Sequence, residues 1–240
     1  MNNTPVPTEQ QSVLAIETST VACSVAIQVG EKRDFIKQEV PRTHNQELLA
    51  MVSELLRRNG TSISALSAIY FGQGPGSFTG TRIAAAVTQG LALPFDIPVY
   101  AISSLHALAA VAVTEFSECS GIIGFIRSRP GEYYRGTYSV QGGVTHGFGD
   151  ERICRVDDLY CDMNGKEFAV DKPADQERWL VVFDEVPDNY QKRKEHTLLL
   201  KRPDAAGLLA VPEVARQSVD IAGAIPVYLQ GTSPWKKQTA

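Results

Sequence analysis

The chain has 240 residues, of which 43% are hydrophobic and 21% are charged, and its formal net charge is −4. This composition excludes a fibrous or disordered chain and predicts a globular protein with one large domain or two small ones. The acidic balance argues against a protein that binds nucleic acid on its own, because such proteins carry a basic patch. No apolar run approaches the roughly 20 residues of a membrane span, so we expect no membrane association.

The cysteine pattern bears on the cellular compartment of the protein. The four cysteines lack metal-ligand spacing, and no secretory signal precedes them. We therefore expect reduced thiols in the cytoplasm.

The N-terminal part predicts three strands. Residues 1–12 are polar and are expected to form a loose tail, and Val13–Glu17 is then a short apolar run. Apolar residues occupy alternate positions over Val21–Val29, which is the period of a strand with one buried face, so the two runs predict a β-hairpin. Arg33–Val40 is predicted as a third antiparallel strand, which Pro41 ends.

A helix is predicted next, from Thr43 as its N-cap to about Arg58. Gln46 completes a capping-box pattern, and Asn59-Gly60 ends the helix. Six apolar positions form a stripe wider than one contact with a sheet requires: Leu48, Leu49, Met51, Val52, Leu55 and Leu56. Two interpretations stay open, which are burial between two layers of the same domain and contact with another protein.

A glycine-rich loop follows the predicted strand Ala68–Phe71. Residues 72–82 read GQGPGSFTGTR, which contains neither G-x-x-x-x-G-K-[ST] nor G-x-G-x-x-G. We expect the glycines to shape the backbone, with Ser77 or Thr79 capping the next helix, although the helix N-terminus leaves anion binding open. That helix, predicted over Arg82–Leu93, is rich in small side chains that permit close helix packing.

The remaining elements predict a mixed α/β protein with a soft boundary near residue 106. Residues 141–178 are predicted to be rich in loops. The predicted strands are Val99–Ile102, Ile122–Arg127, Tyr133–Val140 and Leu180–Phe183, and the predicted helices are Leu105–Thr114, capped by Ser103 or Ser104, and Ala205–Ser218 despite Pro212.

Patterns of catalytic and metal sites are missing from the sequence. The four histidines, His44, His106, His146 and His196, form no H-x-x-x-H pair, and no G-x-S-x-G motif occurs. Glu17, at the end of the first strand, fits two roles equally well: orienting a metal-bound nucleotide, or joining a polar cluster in the hairpin.

Five segments together resemble the TsaB (YeaZ) family. They are LAIETSTVACSVAI (14–27), HNQELLAMVSELL (44–56), GQGPGSFTGTRIAAAVTQGLAL (72–93), IPVYAISSLHALA (97–109) and PVYLQGTSPWKK (226–237). The resemblance implies an actin/Hsp70/sugar-kinase-like (ASKHA) fold of two related subdomains with mixed sheets flanked by helices. The first would span residues 13–106, completed by residues 226–240, and the second residues 107–225.

The resemblance also implies a function. TsaB-like chains are non-catalytic subunits of the complex that installs N6-threonylcarbamoyladenosine (t6A) beside the anticodon of tRNAs reading ANN codons. A TsaD-like paralogue would be the catalytic partner, joined by a TsaE-like ATPase. ATP and metal are expected in those partners and none in this chain alone, with tRNA contacted only through the complex. The alternative is a nucleotide-dependent phosphotransferase of the same superfamily.

Two residue sets follow from the resemblance. The first is a partner interface, which an isolated chain would use to form a homodimer: His44, Glu47, Leu48, Met51, Val52, Leu55, Ala86, Val87 and Gly90. The second is a vestigial phosphate or nucleotide site: Glu17, Ser19, Gly74, Gly76, Ser77, Thr79, Gly80 and Arg82. The family pattern Asp-Ala-Arg-x-x-Glu-x-Tyr aligns with residues 127–134, where Arg127 replaces the acidic residue.

Overall fold

A computed structural model describes residues 11–39, 44–155, 178–187 and 197–229, with the backbone alone for residues 44–46. Its strands are β1 Ser12–Glu17, β2 Ala22–Val29, β3 Lys32–Glu39, β4 Ala68–Gly74, β5 Val99–Ser103, β6 Gly121–Arg129, β7 Glu132–Gln141, β8 Val144–Gly147, β9 Arg152–Arg155, β10 Trp179–Phe183, β11 Thr197–Leu200 and β12 Gln217–Val219. Its α-helices are α1 His44–Arg58, α2 Phe78–Ala92, α3 Ser104–Val113 and α4 Ala205–Ala210.

The first sheet has six strands in the order β12-β5-β4-β1-β2-β3. Strands β1, β2 and β3 form an antiparallel meander, while β4 and β5 run parallel to β1. One face of this sheet packs against α1 and α2, because the residues of that face, such as Leu14 and Ile16, share a core with Leu48 and Ala84. The alternate residues of β1 point to the opposite face, as the period of two predicts.

The second sheet repeats the topology of the first. Its order is β11-β10-β6-β7-β8, with β9 also paired to β7. Again an antiparallel hairpin, here β6 and β7, precedes strands that run parallel to its first member. This duplication confirms the predicted α/β fold of two related subdomains, although no repeat is visible in the sequence.

Helices α3 and α4 lie between the two sheets. Ala107 of α3 and Leu208 of α4 belong to the core behind the first sheet, whereas Leu105 and Leu108 of α3 pack on the second. The two helices pack closely, because a Cβ atom on Gly207 would lie within 3.0 Å of the Ala107 carbonyl oxygen. The pair therefore forms the layer through which the subdomains meet.

The structure corrects the helix predicted over Ala205–Ser218. Helix α4 ends at Ala210, and Val211 is extended, with ψ 131°. The reason is Pro212, whose ring disfavours a helical conformation in the residue before it. The chain then forms β12, which pairs antiparallel with β5 of the first sheet. The chain therefore returns to the first sheet at β12, inside the range 107–225 that the sequence assigned to the second subdomain. The other subdomain limits stay predictions.

The structure also adds strands that the sequence did not predict. Strands β8 and β9 lie in the stretch predicted to be rich in loops, and β11 was not predicted either. Each of these three strands has four residues, which is too short to show a clear alternation of apolar and polar residues. The Thr43 cap, the Trp-Lys-Lys segment and most of the N-terminal tail lie outside the described residues. Within the part of the chain that is described, no helix is long and apolar enough to cross a bilayer.

Candidate functional site

The glycine-rich loop packs directly against the turn between β1 and β2. A Cβ atom on Gly76 would lie within 3.0 Å of the Ser19 carbonyl oxygen, and one on Gly80 would also lie within 3.0 Å of the Thr18 carbonyl oxygen. The Ser77 N–H donates to the Ser19 carbonyl at 2.6 Å, and the Thr18 hydroxyl donates to the Gly80 carbonyl at 2.7 Å. These glycines are therefore required for close backbone packing.

The start of α2 is satisfied by its own residues. Ser77 is the N-cap, and its hydroxyl accepts from the Gly80 N–H at 3.2 Å. The Ser77 carbonyl accepts from the Thr81 N–H at 3.0 Å. Thr79 lies inside the helix with an exposed side chain, so of the two predicted caps Ser77 is the correct one. Helix α2 also begins at Phe78, one turn before the predicted Arg82, because this cap already organises the first turn.

Glu17 belongs to a buried polar cluster in the hairpin. Its carboxylate accepts from the Ser19 N–H at 2.6 Å and from the Ser104 hydroxyl at 2.8 Å. Burial raises the pKa of Glu17, and these two donors oppose that rise. A Cβ atom on Gly72 would overlap the same carboxylate. Of the two roles that the sequence left open, this geometry is that of the satisfied cluster.

A second, half-buried carboxylate was not predicted from the sequence. Glu151 accepts from the Ser103 hydroxyl and, at 2.7 Å, from the Tyr138 hydroxyl. Burial raises its pKa. The consecutive residues Ser103 and Ser104 at the start of α3 thus hold Glu151 and Glu17 respectively. No spacing rule indicates Glu151, because it is distant in sequence from every residue that it contacts.

His106 packs beside this second carboxylate cluster. Its Nε2 atom lies 3.0 Å from the Thr145 hydroxyl oxygen and 3.1 Å from the Thr145 carbonyl oxygen, and its ring contacts that of Tyr138. Burial lowers the pKa of His106, which favours the neutral ring with Nε2–H donating to the carbonyl. Among the described residues, no three His, Cys, Asp or Glu side chains converge as a metal site would require.

The other candidates of the glycine-rich loop lie away from the cluster around Glu17 and Ser19. Gly74 has φ +94°, a conformation that favours glycine, and lies beside the Val227 carbonyl. Arg82 is exposed on α2, where its Nε donates to the Tyr228 hydroxyl at 2.8 Å. The structure therefore brings Glu17, Ser19, Gly76, Ser77 and Gly80 together and leaves Gly74, Thr79 and Arg82 outside.

The proposed interface residues of α1 separate into buried and exposed positions. Leu48, Met51, Val52 and Leu55 are at most 3% exposed and belong to the core shared with the first sheet. The first sheet covers these four side chains, so in this chain they are not accessible to a partner. Leu49, which was part of the predicted stripe, is instead 49% exposed. Glu47 is half-buried, and the His44 side chain lies outside the described residues.

The proposed interface residues of α2 lie at the surface. Ala86 and Gly90 are exposed, and Val87 is half-buried. Leu93, directly after the helix, is 71% exposed. Small residues on an exposed helical face permit the close approach of a second helix, so this part of the predicted interface is accessible.

Comparisons with known proteins identify the family. The family model described as tRNA N6-adenosine threonylcarbamoyltransferase (TsaD) matches residues 34–194. The tRNA threonylcarbamoyladenosine biosynthesis protein TsaB of Escherichia coli is 31% identical over 94% of this chain and 97% of its own length. The Haemophilus influenzae protein of that name is 30% identical over 94% and 96%. The chain belongs to the TsaB (YeaZ) family.

A solved structure of the TsaB family agrees with this fold. YeaZ from Pseudomonas aeruginosa is 32% identical, covers 91% of this chain and 100% of its own, and superposes with a TM-score of 0.73. A second structure, from the same organism and described as similar to peptidase YEAZ, is 33% identical with a TM-score of 0.75. The predicted fold class is therefore confirmed at the level of the whole chain.

Arg127, which stands in place of the acidic residue of the TsaB pattern, forms an ion pair. Arg127 pairs with Glu185, and its backbone N–H donates to Asp184 at 2.8 Å. Arg129 and Glu132, which keep the pattern, form an ion pair with two hydrogen bonds at the tip of the β6–β7 hairpin. The Arg127 cation is thus paired with Glu185, which lies just after β10, whereas the bond to Asp184 comes from the backbone and does not depend on the side chain at position 127.

Proposed function

We propose that this chain is a non-catalytic subunit of the machinery that makes t6A in tRNA, and that it acts by pairing with a TsaD-like catalytic subunit. Its membership of the TsaB family supports this, since its relatives are named as t6A biosynthesis proteins. The match to the TsaD family model supports the proposal that this chain and its catalytic partner are paralogues.

One observation carries the non-catalytic part of the proposal. The Thr18 and Ser19 carbonyl oxygens pack against the glycine loop at the start of α2. Carbonyl oxygens carry partial negative charge, so they oppose a phosphate at the place where a glycine loop would otherwise bind one. Because the Glu17 carboxylate is also engaged by Ser19 and Ser104, we expect no productive nucleotide site in this chain.

The pairing surface in this proposal is the exposed face of α1 and α2. Leu49, Ala86, Gly90 and Leu93 are exposed, while the buried stripe of α1 fixes both helices on the first sheet. An apolar face with small residues suits helix-to-helix contact with a related subunit. We propose the same face for a homodimer of the isolated chain.

The other assignments follow from this role. We propose that a TsaE-like ATPase joins the pair, that ATP and metal are bound in the partner subunits, and that tRNA is contacted only through the complex. We also place the complex in the cytoplasm.

Substitution of Leu49 tests the pairing. We expect Leu49→Asp to weaken binding of the TsaD-like subunit from the same organism at least about tenfold, because it buries a charge in an apolar contact. Leu200→Asp is the matched control, since Leu200 is 60% exposed on the second sheet. Leu55→Asp is unsuitable, because Leu55 is fully buried and the variant would lose its fold.

Calorimetry and reconstitution complete the test. The isolated chain with ATP and Mg²⁺ should give no heat of tight binding and no turnover, whereas addition of wild-type chain should be required for t6A synthesis by the partner subunits. Unchanged binding by Leu49→Asp would refute the pairing surface. ATP turnover by the chain alone would support the phosphotransferase alternative.

A further inference from the structure

Helix α2 presents a single exposed stripe along its length. Phe78, Arg82, Ala86 and Gly90 follow each other at intervals of four residues, and all four are exposed. Residues four apart lie on the same face of a helix. The proposed pairing surface at Ala86 and Gly90 therefore continues to the N-terminal end of α2, where its character changes from small and apolar to aromatic and cationic.

The C-terminal part of the described chain runs along α2 and adds to this stripe. The Gln89 side chain donates to the Ala224 carbonyl at 3.1 Å, and the Val227 N–H donates to the Gln73 carbonyl at 2.8 Å. The Tyr228 hydroxyl then accepts from Arg82 Nε at 2.8 Å. The segment thus runs antiparallel to the helix and ends with Tyr228 beside the α2 start.

Arg82 is held in one orientation between two aromatic rings. Its guanidinium carbon lies 3.6 Å from the centroid of the Phe78 ring and 5.8 Å from that of Tyr228. The rings are themselves 59% and 50% exposed, so they form an open clamp at the surface. Because the guanidinium is already ordered, little side-chain entropy remains to be lost when it binds a further group.

The charge of Arg82 has no counter-ion among the residues that the structure describes. Its one hydrogen-bond partner there is the neutral Tyr228 hydroxyl, and no described carboxylate lies within ion-pair distance. Arg82 is also the only charged residue of α2. The remaining guanidinium N–H groups have the fork geometry that binds a carboxylate through two hydrogen bonds.

We propose that the Phe78–Arg82–Tyr228 clamp binds a carboxylate of the TsaD-like subunit, and that this contact is an energetic hot spot of the pairing surface. The inference rests on the proposed function. Arg and Tyr are among the side chains most enriched at the hot spots of protein interfaces. A protein carboxylate is favoured over an RNA phosphate, because phosphate binding uses several neighbouring cations and α2 offers one.

The test compares variants of the full chain in titrations with the TsaD-like subunit at several salt concentrations. Arg82→Gln should raise Kd at least about tenfold and flatten its salt dependence, since the loss is that of a charge pair. Arg82→Lys keeps the charge but not the fork, and should raise Kd about threefold. Tyr228→Phe keeps the ring but not the hydroxyl that orients Arg82, and should also raise Kd about threefold.

Arg178→Gln is the matched control, since Arg178 has a 79% exposed side chain and lies just before β10. It should leave Kd and its salt dependence unchanged, and all variants should keep the wild-type melting temperature. As a second measurement, replacement of one Asp or Glu of the partner by Lys should restore the binding of Arg82→Glu.

The possible results separate the two proposals. If wild type and Arg178→Gln bind and Arg82→Gln binds equally well with the same salt dependence, the clamp is overturned and the pairing stands. If Arg82→Gln leaves Kd for the partner unchanged but weakens tRNA binding by the assembled complex, the clamp binds RNA instead and the inference is overturned. If wild type does not bind the partner at all, both proposals fall.

Discussion

At the scale of single residues, buried carboxylates organise the contacts around α3 and the second sheet. Glu17 and Asp184 are buried and Glu151 is half-buried, and burial raises the pKa of each. Each accepts hydrogen bonds from fixed donors of the same chain, such as the Ser104 hydroxyl for Glu17 and the Arg127 N–H for Asp184. These acids are therefore structural acceptors, although raised pKa values are also found in active sites.

Asp184 gives a prediction about stability and pH. Burial raises its pKa from an ordinary 3.8 to about 6. Between these values the folded state binds more protons than the unfolded state, so the free energy of unfolding falls as pH rises through this window. We expect it to fall by about 1–3 kcal/mol more in wild type than in Asp184→Asn between pH 4 and pH 7.

Urea unfolding at a series of pH values measures this difference. Asparagine keeps the oxygen that accepts from Arg127, so the variant isolates the ionisation. Glu118→Gln removes one carboxylate from a side chain that is 89% exposed and serves as the control. Parallel pH curves for wild type and Asp184→Asn would contradict the prediction.

At the scale of elements, α2 contains two glycines with different roles. Gly80 lies against the Thr18 carbonyl, where a Cβ atom would come within 3.0 Å, whereas nothing lies within 4 Å of the position of a Cβ atom on Gly90. Gly80 thus sets the distance between the helix and the β1–β2 turn. Gly90 leaves the exposed face of α2 open. The start of α2 is therefore constrained by contact with its own chain, whereas its end presents an accessible surface.

The two glycines give a matched pair of substitutions. Gly80→Ala should lower the free energy of unfolding by about 2–4 kcal/mol, because backbone atoms must move to admit the methyl group. Gly90→Ala should raise it by up to about 1 kcal/mol, because alanine favours the helix. Chemical unfolding of both variants measures the contrast. Equal effects on stability would show that helix propensity alone governs both positions.

At the scale of the whole molecule, α4 joins distant parts of the chain. Asp204 caps this helix by accepting from the Gly207 N–H at 3.0 Å, and its second oxygen pairs with Lys37 of β3 at 2.9 Å. The Ala205 N–H donates to the Ser24 hydroxyl of β2 at 2.9 Å. The start of α4, which follows the second sheet, is thus attached to the edge of the first.

Substitutions of Asp204 separate its cap from its ion pair. Asp204→Asn keeps the capping oxygen and loses the charge, so we expect a loss of about 1 kcal/mol of unfolding free energy. Asp204→Ala loses both contacts and leaves the buried Gly207 N–H unpaired, so we expect a loss of about 2–3 kcal/mol. Lys37→Met should match Asp204→Asn in thermal unfolding. A loss for Asp204→Asn as large as that for Asp204→Ala would show that the charge is the main contribution.

Local features of the sequence were sufficient for much of the fold. The alternation over Val21–Val29 predicted β2, although this strand is buried on both faces and not on one, and the glycine-rich loop that contains Ser77 predicted a capped helix. The failure of the nucleotide motifs favoured a structural role for Gly76 and Gly80, and the structure shows the backbone atoms that they contact. The motif GPGSFTG, with its flanking segments, was specific enough to identify the family before any geometry was known.

The sequence by itself determined the strands of the N-terminal hairpin, the presence of a capped helix after β4, and the family, because periodicity and capping depend on neighbouring residues. Only the tertiary structure decided that Leu55 is buried while Leu49 is exposed, that Glu151 binds Ser103, and that Tyr228 orients Arg82. The physical reason is distance along the chain. These contacts join residues that are brought together by the packing of two sheets around α3 and α4, and no local pattern encodes that packing.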